Sequence, residues 1–190
     1  MNAYDFDKTI VPFDSTALFT RWCLKRYKKT WPRLPLLLAP GAGMLLRLSS
    51  KEAFKECLFR AVLSAPEDLD AELAAFWRAH IGETHRWYLS RKRDDDVVIS
   101  ASPEFIVRPA LELLGVRTLI GTRLDPATGR IVGRNCHGPE KVVRFHRALG
   151  DAPLEEFYSD SLSDSPMARL AKKAYLVKGE QLLPWPGQQG

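Results

Sequence analysis

NAYDFDKTIVPFDST, residues 2–16, sets two carboxylates, Asp5 and Asp7, two residues apart at the end of what reads as a short first strand, residues 1–6. Two acids this close repel each other, and burying them costs more still. Their position asks what else the chain brings to the same place.

Downstream of Asp14 the pattern turns helical and stays so to about Arg93. STALFTRWCLKRYKKT opens with Ser15 and Thr16 as helix N-caps and sets Leu18, Trp22 and Tyr27 near one face. SSKEAFKECLFRAVL has Ser49 or Ser50 as its cap and Phe54, Leu58 and Val62 at spacing four. A third helix is expected from Pro66, with acids in its first turn, to Arg91 and Lys92, as the helix dipole prefers.

Then strands and helices alternate. DDDVVISASPEF holds a buried strand, Val97 to Ile99, EFIVRPALELL is a helix stopped by Gly115, and VRTLIGTRLDPATGRIVGRN is two strands around a DPATG turn. GPEKVVRFHRALG is a loop and a helix ended by Gly150. LEEFYSDS is a strand running into a polar loop, SPMARLAKKA a short helix, and YLVK and QLLPW close the chain. This order predicts an α/β fold with an open parallel sheet, whose ligands bind beyond the carboxyl ends of the strands. Asp5, Asp7, Ser100 and Asp160 lie at such ends, and Lys141 lies in a loop before a helix.

Those groups suit phosphoryl transfer. A carboxylate at Asp5 can attack phosphorus and form an acyl phosphate. A hard divalent cation such as Mg2+, held by Asp5, Asp160 and Asp164, would relieve the repulsion between anions. Asp7 can protonate the leaving alkoxide and later act as base toward water. Lys141 can neutralise phosphoryl charge, and Ser100 with the backbone amide at Ala101 can hold a phosphoryl oxygen. Ser102 reads as the N-cap of the next helix.

DFDKT at 5–9, Ser100, Lys141 in GPEK and SDSLSD at 159–164 resemble the four ordered motifs of the haloacid dehalogenase-like superfamily, in its phosphatase branch. The resemblance implies a Rossmann-like parallel sheet core, residues 1–13 and 94–190, with an inserted α-helical cap, residues 14–93. It implies Asp5 as nucleophile, Asp7 as acid/base, Ser100, Ala101 and Lys141 on the phosphoryl group, and Asp160 and Asp164 at the magnesium. It also implies Asp7 as a metal ligand through its backbone carbonyl. The insert is similar to the cap of phosphoserine phosphatase-like enzymes, which carry an acid near the substrate where Asp14 stands. The phosphatidylglycerophosphatase-like subset shares SASP, CHGPEKV and YSDSLSDSPM. Ser159 departs from the Gly common before the first late Asp. A dehalogenase is disfavoured, because that chemistry needs no acid at Asp7.

The expected substrate is therefore a phosphorylated small molecule or a lipid phosphate. Net charge is +5, and residues 21–60 carry ten Lys or Arg against two Glu. Beside them LPLLLAPGAGMLL, 34–46, is too short for a spanning helix, which needs roughly 20 residues. Its Pro and Gly residues predict a bent apolar hairpin, packed in the cap or dipping into an anionic membrane surface through 21–48. A peripheral membrane-binding module with a vestigial site is the competing reading. Nucleic acid is not expected, since no recognition motif accompanies the charge. His137 reads as a surface loop residue, and His80, His85 and His146 as helix-face residues. Three scattered cysteines without a CxxC pair argue against zinc and a disulfide framework. With no secretory pattern at the amino terminus, a cytoplasmic protein is expected, peripheral on the inner membrane face if the hairpin docks there.

Overall fold

The computed structural model describes residues 1–37, 51–62, 65–125 and 127–187. Six strands form one sheet in the order β3-β2-β1-β6-β7-β8. They are β1 (Asn2–Tyr4), β2 (Val97–Pro103), β3 (Thr118–Thr122), β6 (Glu156–Ser159), β7 (Lys173–Lys178) and β8 (Gln181–Pro184). Five run parallel, and β8 turns back antiparallel on β7. The chain moves from β1 to one side for β2 and β3, then crosses to the other side for β6. The reversal point, where such sheets open a crevice, is the carboxyl end of β1.

The strands alternate faces with period two. Ala3, Val97, Ile99, Phe157 and Ala174 enter one core, and Tyr4, Val98, Tyr158 and Val177 the other. Neighbouring strands put Tyr4, Tyr158 and Tyr175 in a row, with stacked rings 4.8 Å and 5.0 Å apart. Offset aromatic stacking adds to the burial each ring already contributes. Trp87 and Tyr88 cover that row, 5.2 Å from Tyr158 and 5.0 Å from Tyr4.

Between β1 and β2 come α1 (Ser15–Arg26), a 3-10 segment (Lys28–Leu37) containing Pro32 and Pro35, α2 (Lys51–Val62), α3 (Leu69–His80) and α4 (Arg86–Arg91). The N-cap of α1 is Asp14, not Ser15 or Thr16: its carboxylate accepts from Ala17 N at 2.8 Å. Ser15 is already the first residue of the helix, where its amide donates to Asp7 and its buried hydroxyl has no partner. The single helix expected from Pro66 to Lys92 is broken. Thr84 bonds Ile81 O with both its hydroxyl and its amide, a local competition that ends the helical ladder. Glu180, from the β7–β8 turn, then starts α4 by accepting from the amides of Arg86 and Trp87. Ser49, Ser50 and most of the 34–46 hairpin lie outside the described residues. Among the described residues no helix is long and apolar enough to cross a membrane.

After β2, α5 (Glu104–Leu114) ends at Gly115, whose φ of 72° is the left-handed conformation that favours glycine. The expected pair of strands around DPATG splits. Its first part pairs in the sheet as β3, and a separate ribbon, β4 (Leu124–Asp125) with β5 (Arg130–Ile131), holds the turn. Then follow α6 (Pro139–Leu149), β6, a 3-10 turn (Leu162–Asp164), α7 (Ser165–Ala168) and the β7–β8 hairpin. The expected SPMARLAKKA helix is only the four residues of α7.

Candidate active site

Asp5 is the first residue past β1, and its amide still bonds Tyr158 O of β6 at 2.8 Å. The chain then folds over itself. Lys8 takes a positive φ of 54°, and the amides of Thr9, Ile10 and Val11 all bond Phe6 O. A lysine in that region is uncommon and marks a constrained turn. The turn is pinned to the β6 exit, where the Asp160 amide donates to Thr9 Oγ1 at 3.0 Å.

Lys141 reaches the same place from α6. Gly138, at φ 57° and ψ −125°, makes the sharp entry that a side chain would strain, and Pro139 starts the helix. Lys141 is 1% exposed, with its ammonium 3.0 Å from Asp5 Oδ1 and 2.6 Å from Asp164 Oδ2. Burial works against that ammonium, but the carboxylates of Asp5 and Asp164 more than offset it and hold its pKa above the ordinary value. Burial pushes the Asp5 carboxyl up to about 7, although Lys141 pulls the other way. Burial also raises Asp160, and the Asp164 charge adds to it. Ser159 donates to Asp164 Oδ2 at 2.8 Å.

Asp7 faces a different set of donors. Ser15 N donates to its Oδ1 at 2.9 Å, and Ser102 Oγ donates to its Oδ2 at 2.5 Å. Burial and then the Asp14 charge push its carboxyl up to about 6, against these bonds. The pairing of β2 with β3 is irregular between Ile99 and Pro103, and there the chain bends so that Ser102 N donates to Ser100 Oγ at 3.1 Å. Ser100 is buried, and the Ala101 carbonyl accepts from Thr122 Oγ1 at 2.8 Å. Ser102 is not the N-cap of α5. Pro103 holds that position without a side-chain bond, and the Ser102 hydroxyl goes to Asp7.

The sequence therefore named groups that the fold gathers at one rim. Asp5, Lys141 and Asp164 touch, Asp160 is tied to the Asp5–Thr9 turn, and Asp7 lies against β2. Asp14 contributes charge to Asp7 while capping α1. Ser102, Thr9 and Ser15 join the site only through the fold. Thr9 falls within the DFDKT motif, but nothing in the order of residues showed the other two. His137 is exposed, on a cleft of about 530 Å³ shared with Glu56, Asn135 and Glu140. His80 pairs with Glu83 and His85 with Glu180, and the His85 amide donates to Ile10 O of the turn after Asp7 at 2.9 Å.

Hard oxygen atoms make up the carboxylate set, the chemistry that suits Mg2+. Asp164 Oδ1 is buried and has no hydrogen-bond partner. Among the described residues no three His, Cys, Asp or Glu side chains converge to hold an ion by themselves. A cation here would draw its other ligands from backbone carbonyl oxygen and water, as magnesium commonly does. The residues present fit that ion.

The reversal point of a parallel sheet here gathers aspartates around one buried lysine. The family model of haloacid dehalogenase-like hydrolases matches residues 3–169, and the chain belongs to that family. Protein CicA of Caulobacter vibrioides is 30% identical over 200 residues, covering 92% of this chain and 85% of the relative. A histidinol-phosphatase of Neisseria meningitidis serogroup C is 25% identical over 212 residues, covering 92% and 88%. The crystal structure of a protein of unknown function from Bordetella pertussis Tohama I superimposes with a TM-score of 0.73 at 24% identity, covering 92% of this chain and 87% of that one.

Proposed function

We propose that the chain is a magnesium-dependent phosphomonoester hydrolase working through an aspartyl-phosphate at Asp5, with residues 14–93 as its cap. The contact that carries this reading is the buried Lys141 ammonium between Asp5 and Asp164 at the end of β1. One cation between two carboxylates leaves Asp5 charged in part, aimed from a strand end, and next to a group that can neutralise an incoming phosphoryl oxygen.

Asp5, Asp160 or Asp164, and the Asp7 backbone carbonyl are the residues that would hold Mg2+, with water completing its shell. When bound, the ion supplies Lewis-acid charge against the phosphoryl oxygens. The remaining work falls to side chains. Asp5 Oδ attacks phosphorus as the bond to the leaving oxygen breaks, and Asp7 gives that oxygen its proton. Asp7 then takes a proton from water, which attacks the acyl phosphate and frees Asp5 and inorganic phosphate. Ser100, the Ala101 amide and Lys141 hold the phosphoryl oxygens during both steps.

The substrate is a phosphorylated small molecule. The histidinol-phosphatase relative supports that class, and the charge of Asp14 beside Asp7 at the start of α1 supports a role for Asp14 toward a polar leaving group. A lipid phosphate is the second source of the same chemistry. Trp31 is 56% exposed beside Lys28 and Lys29, the one described feature that favours an anionic membrane surface over the competing packed reading. Asp5→Asn is the test of the mechanism. Turnover of p-nitrophenyl phosphate with Mg2+ should fall at least about 10⁴-fold, as for loss of a nucleophile, while circular dichroism stays unchanged. Retained turnover would end the proposal. A screen of phosphorylated metabolites beside phosphatidylglycerophosphate vesicles separates the two substrate sources.

A further inference from the structure

The hydroxyl chain behind Asp7 has a fixed direction. Ser102 Oγ donates to Asp7 Oδ2 at 2.5 Å. A serine hydroxyl has one proton to give. With that proton on Asp7, the 3.0 Å contact between Thr16 Oγ1 and Ser102 Oγ can be made only with Thr16 as donor. The order is therefore Thr16 to Ser102 to Asp7. Ser102 and Thr16 are 4% and 7% exposed, so water does not replace either partner. The other oxygen, Oδ1, is held by the Ser15 amide at 2.9 Å.

This arrangement ties together three separate pieces of chain. Asp7 lies past β1, Ser102 is in β2, and Ser15 and Thr16 form the first turn of α1, the start of the helical segment. A carboxylate offers about four lone-pair sites. Ser15 and Ser102 fill one on each oxygen, which leaves the others for the catalytic proton and fixes the plane of the group. A charge-assisted hydrogen bond to a buried partner is also the kind that holds geometry tightly.

We propose that Ser102, oriented by Thr16, is the positioning residue that aims Asp7 at the leaving-group oxygen. The inference rests on the reading of Asp7 as the acid. Ser102 keeps its own proton throughout; the proton reaching the leaving oxygen is Asp7's. Because Thr16 and Ser15 belong to α1, the acid is in line only when that helix is seated against β2, which couples the placement of the helical segment to chemistry.

The test compares two aryl phosphates of nearly the same shape. Phenol, with a pKa of about 10 like tyrosine, needs protonation as it leaves; p-nitrophenolate does not. In the Mg2+-loaded enzyme, Ser102→Ala should lower kcat/KM for phenyl phosphate about tenfold, the loss of one bond to a charged group, and change that for p-nitrophenyl phosphate far less. Thr16→Val should show the same selectivity at about threefold, and Thr16→Ser, which keeps the hydroxyl, should restore the wild-type ratio. Asp7→Asn is the reference and should show the largest selectivity. If Asp7→Asn is selective and Ser102→Ala lowers both substrates equally, Ser102 is structural only and the inference falls. If Asp7→Asn lowers both substrates equally, the assignment of the acid is wrong and the inference falls with it. A Ser102→Ala protein that does not fold leaves Thr16→Val against Thr16→Ser to decide the same question.

Discussion

Two carboxylates are buried in this molecule to nearly the same depth, Asp5 at 9% and Glu72 at 6% exposed, and their company differs. Glu72, on α3, accepts from Trp22 Nε1 and from Arg26 Nε at 3.2 Å on one oxygen, and from the Tyr27 hydroxyl at 2.5 Å on the other. Its donors come from α1 and the residue that ends it, so the acid clamps α3 to α1. Its one cationic partner, Arg26, is 58% exposed, so most of that charge stays in water. Asp5 has no such closure. It shares a single buried ammonium with Asp164, and the three groups together keep a net negative charge at the mouth of the sheet. A buried acid whose oxygens are filled by two neutral donors and one cation that stays mostly in water is a fastener. A buried acid in a cluster of unbalanced charge is expensive, and a fold keeps it where a ligand completes the balance.

Removing the cation is the strongest way to break that contrast. Lys141→Met leaves Asp5 and Asp164 facing each other without a counter-charge. Turnover should fall about 10²- to 10³-fold, as when a donor to the reacting oxygens is lost, measured on p-nitrophenyl phosphate at saturating Mg2+. Breaking a buried pair also costs stability, on the order of 3–5 kcal/mol, so the assay is run well below the melting temperature found by circular dichroism. Near-normal turnover would show that the buried lysine only neutralises the fold.

Glu72→Gln is the opposite experiment. It keeps the size of the side chain and replaces an acceptor by a donor facing Trp22 or Tyr27. The expected cost is about 2 kcal/mol, a fall in melting temperature on the order of 6 °C for a chain of this length. At a temperature where the variant is folded, kcat should stay within about twofold of wild type, the usual range for changes away from reacting groups. A loss of activity comparable to that of Lys141→Met would make the clamp part of the chemistry and dissolve the distinction between the two acids.

The sequence exposed one of these acids and hid the other. Asp5 stood out because strand ends, a DxD spacing and a distant Lys and Asp pair recur in an order that chemistry explains. Glu72 lies on a helix at a position that periodicity reads as unremarkable, and its partners arrive from a helix about fifty residues earlier. The same holds inside the site. Ser102 sits before Pro103, where a cap is the local expectation, and only the bend in β2 turns its hydroxyl to Asp7. The sequence pointed to Ser15 and Thr16 as caps of α1, but Asp14, one residue earlier, takes that place by accepting from the Ala17 amide. The helix stops at Gly115 and Gly150 were legible because glycine acts locally. The new helix start at Arg86 depends on Glu180, far off in the chain, and the antiparallel turn of β8 leaves no mark in a strand's composition.

The finest comparison is between the two acids that flank the first turn, Asp7 and Asp14. Burial and the Asp14 charge both push Asp7 up to about 6. Its protonated form is the one that serves a poor leaving group, so kcat/KM for phenyl phosphate should decline as pH rises through that region. Asp14→Asn removes the neighbouring charge while keeping a side-chain oxygen for the Ala17 amide, since Asn caps helices as well as Asp does. With less negative charge nearby, Asp7 ionises more readily, its pKa drops, and the alkaline decline should begin at lower pH by a fraction of a unit. A pH profile of the two proteins on the same substrate reads this directly. A shift toward higher pH would mean that Asp14 acts on Asp7 through geometry rather than charge, and an unmoved profile would place the group responsible for the decline elsewhere.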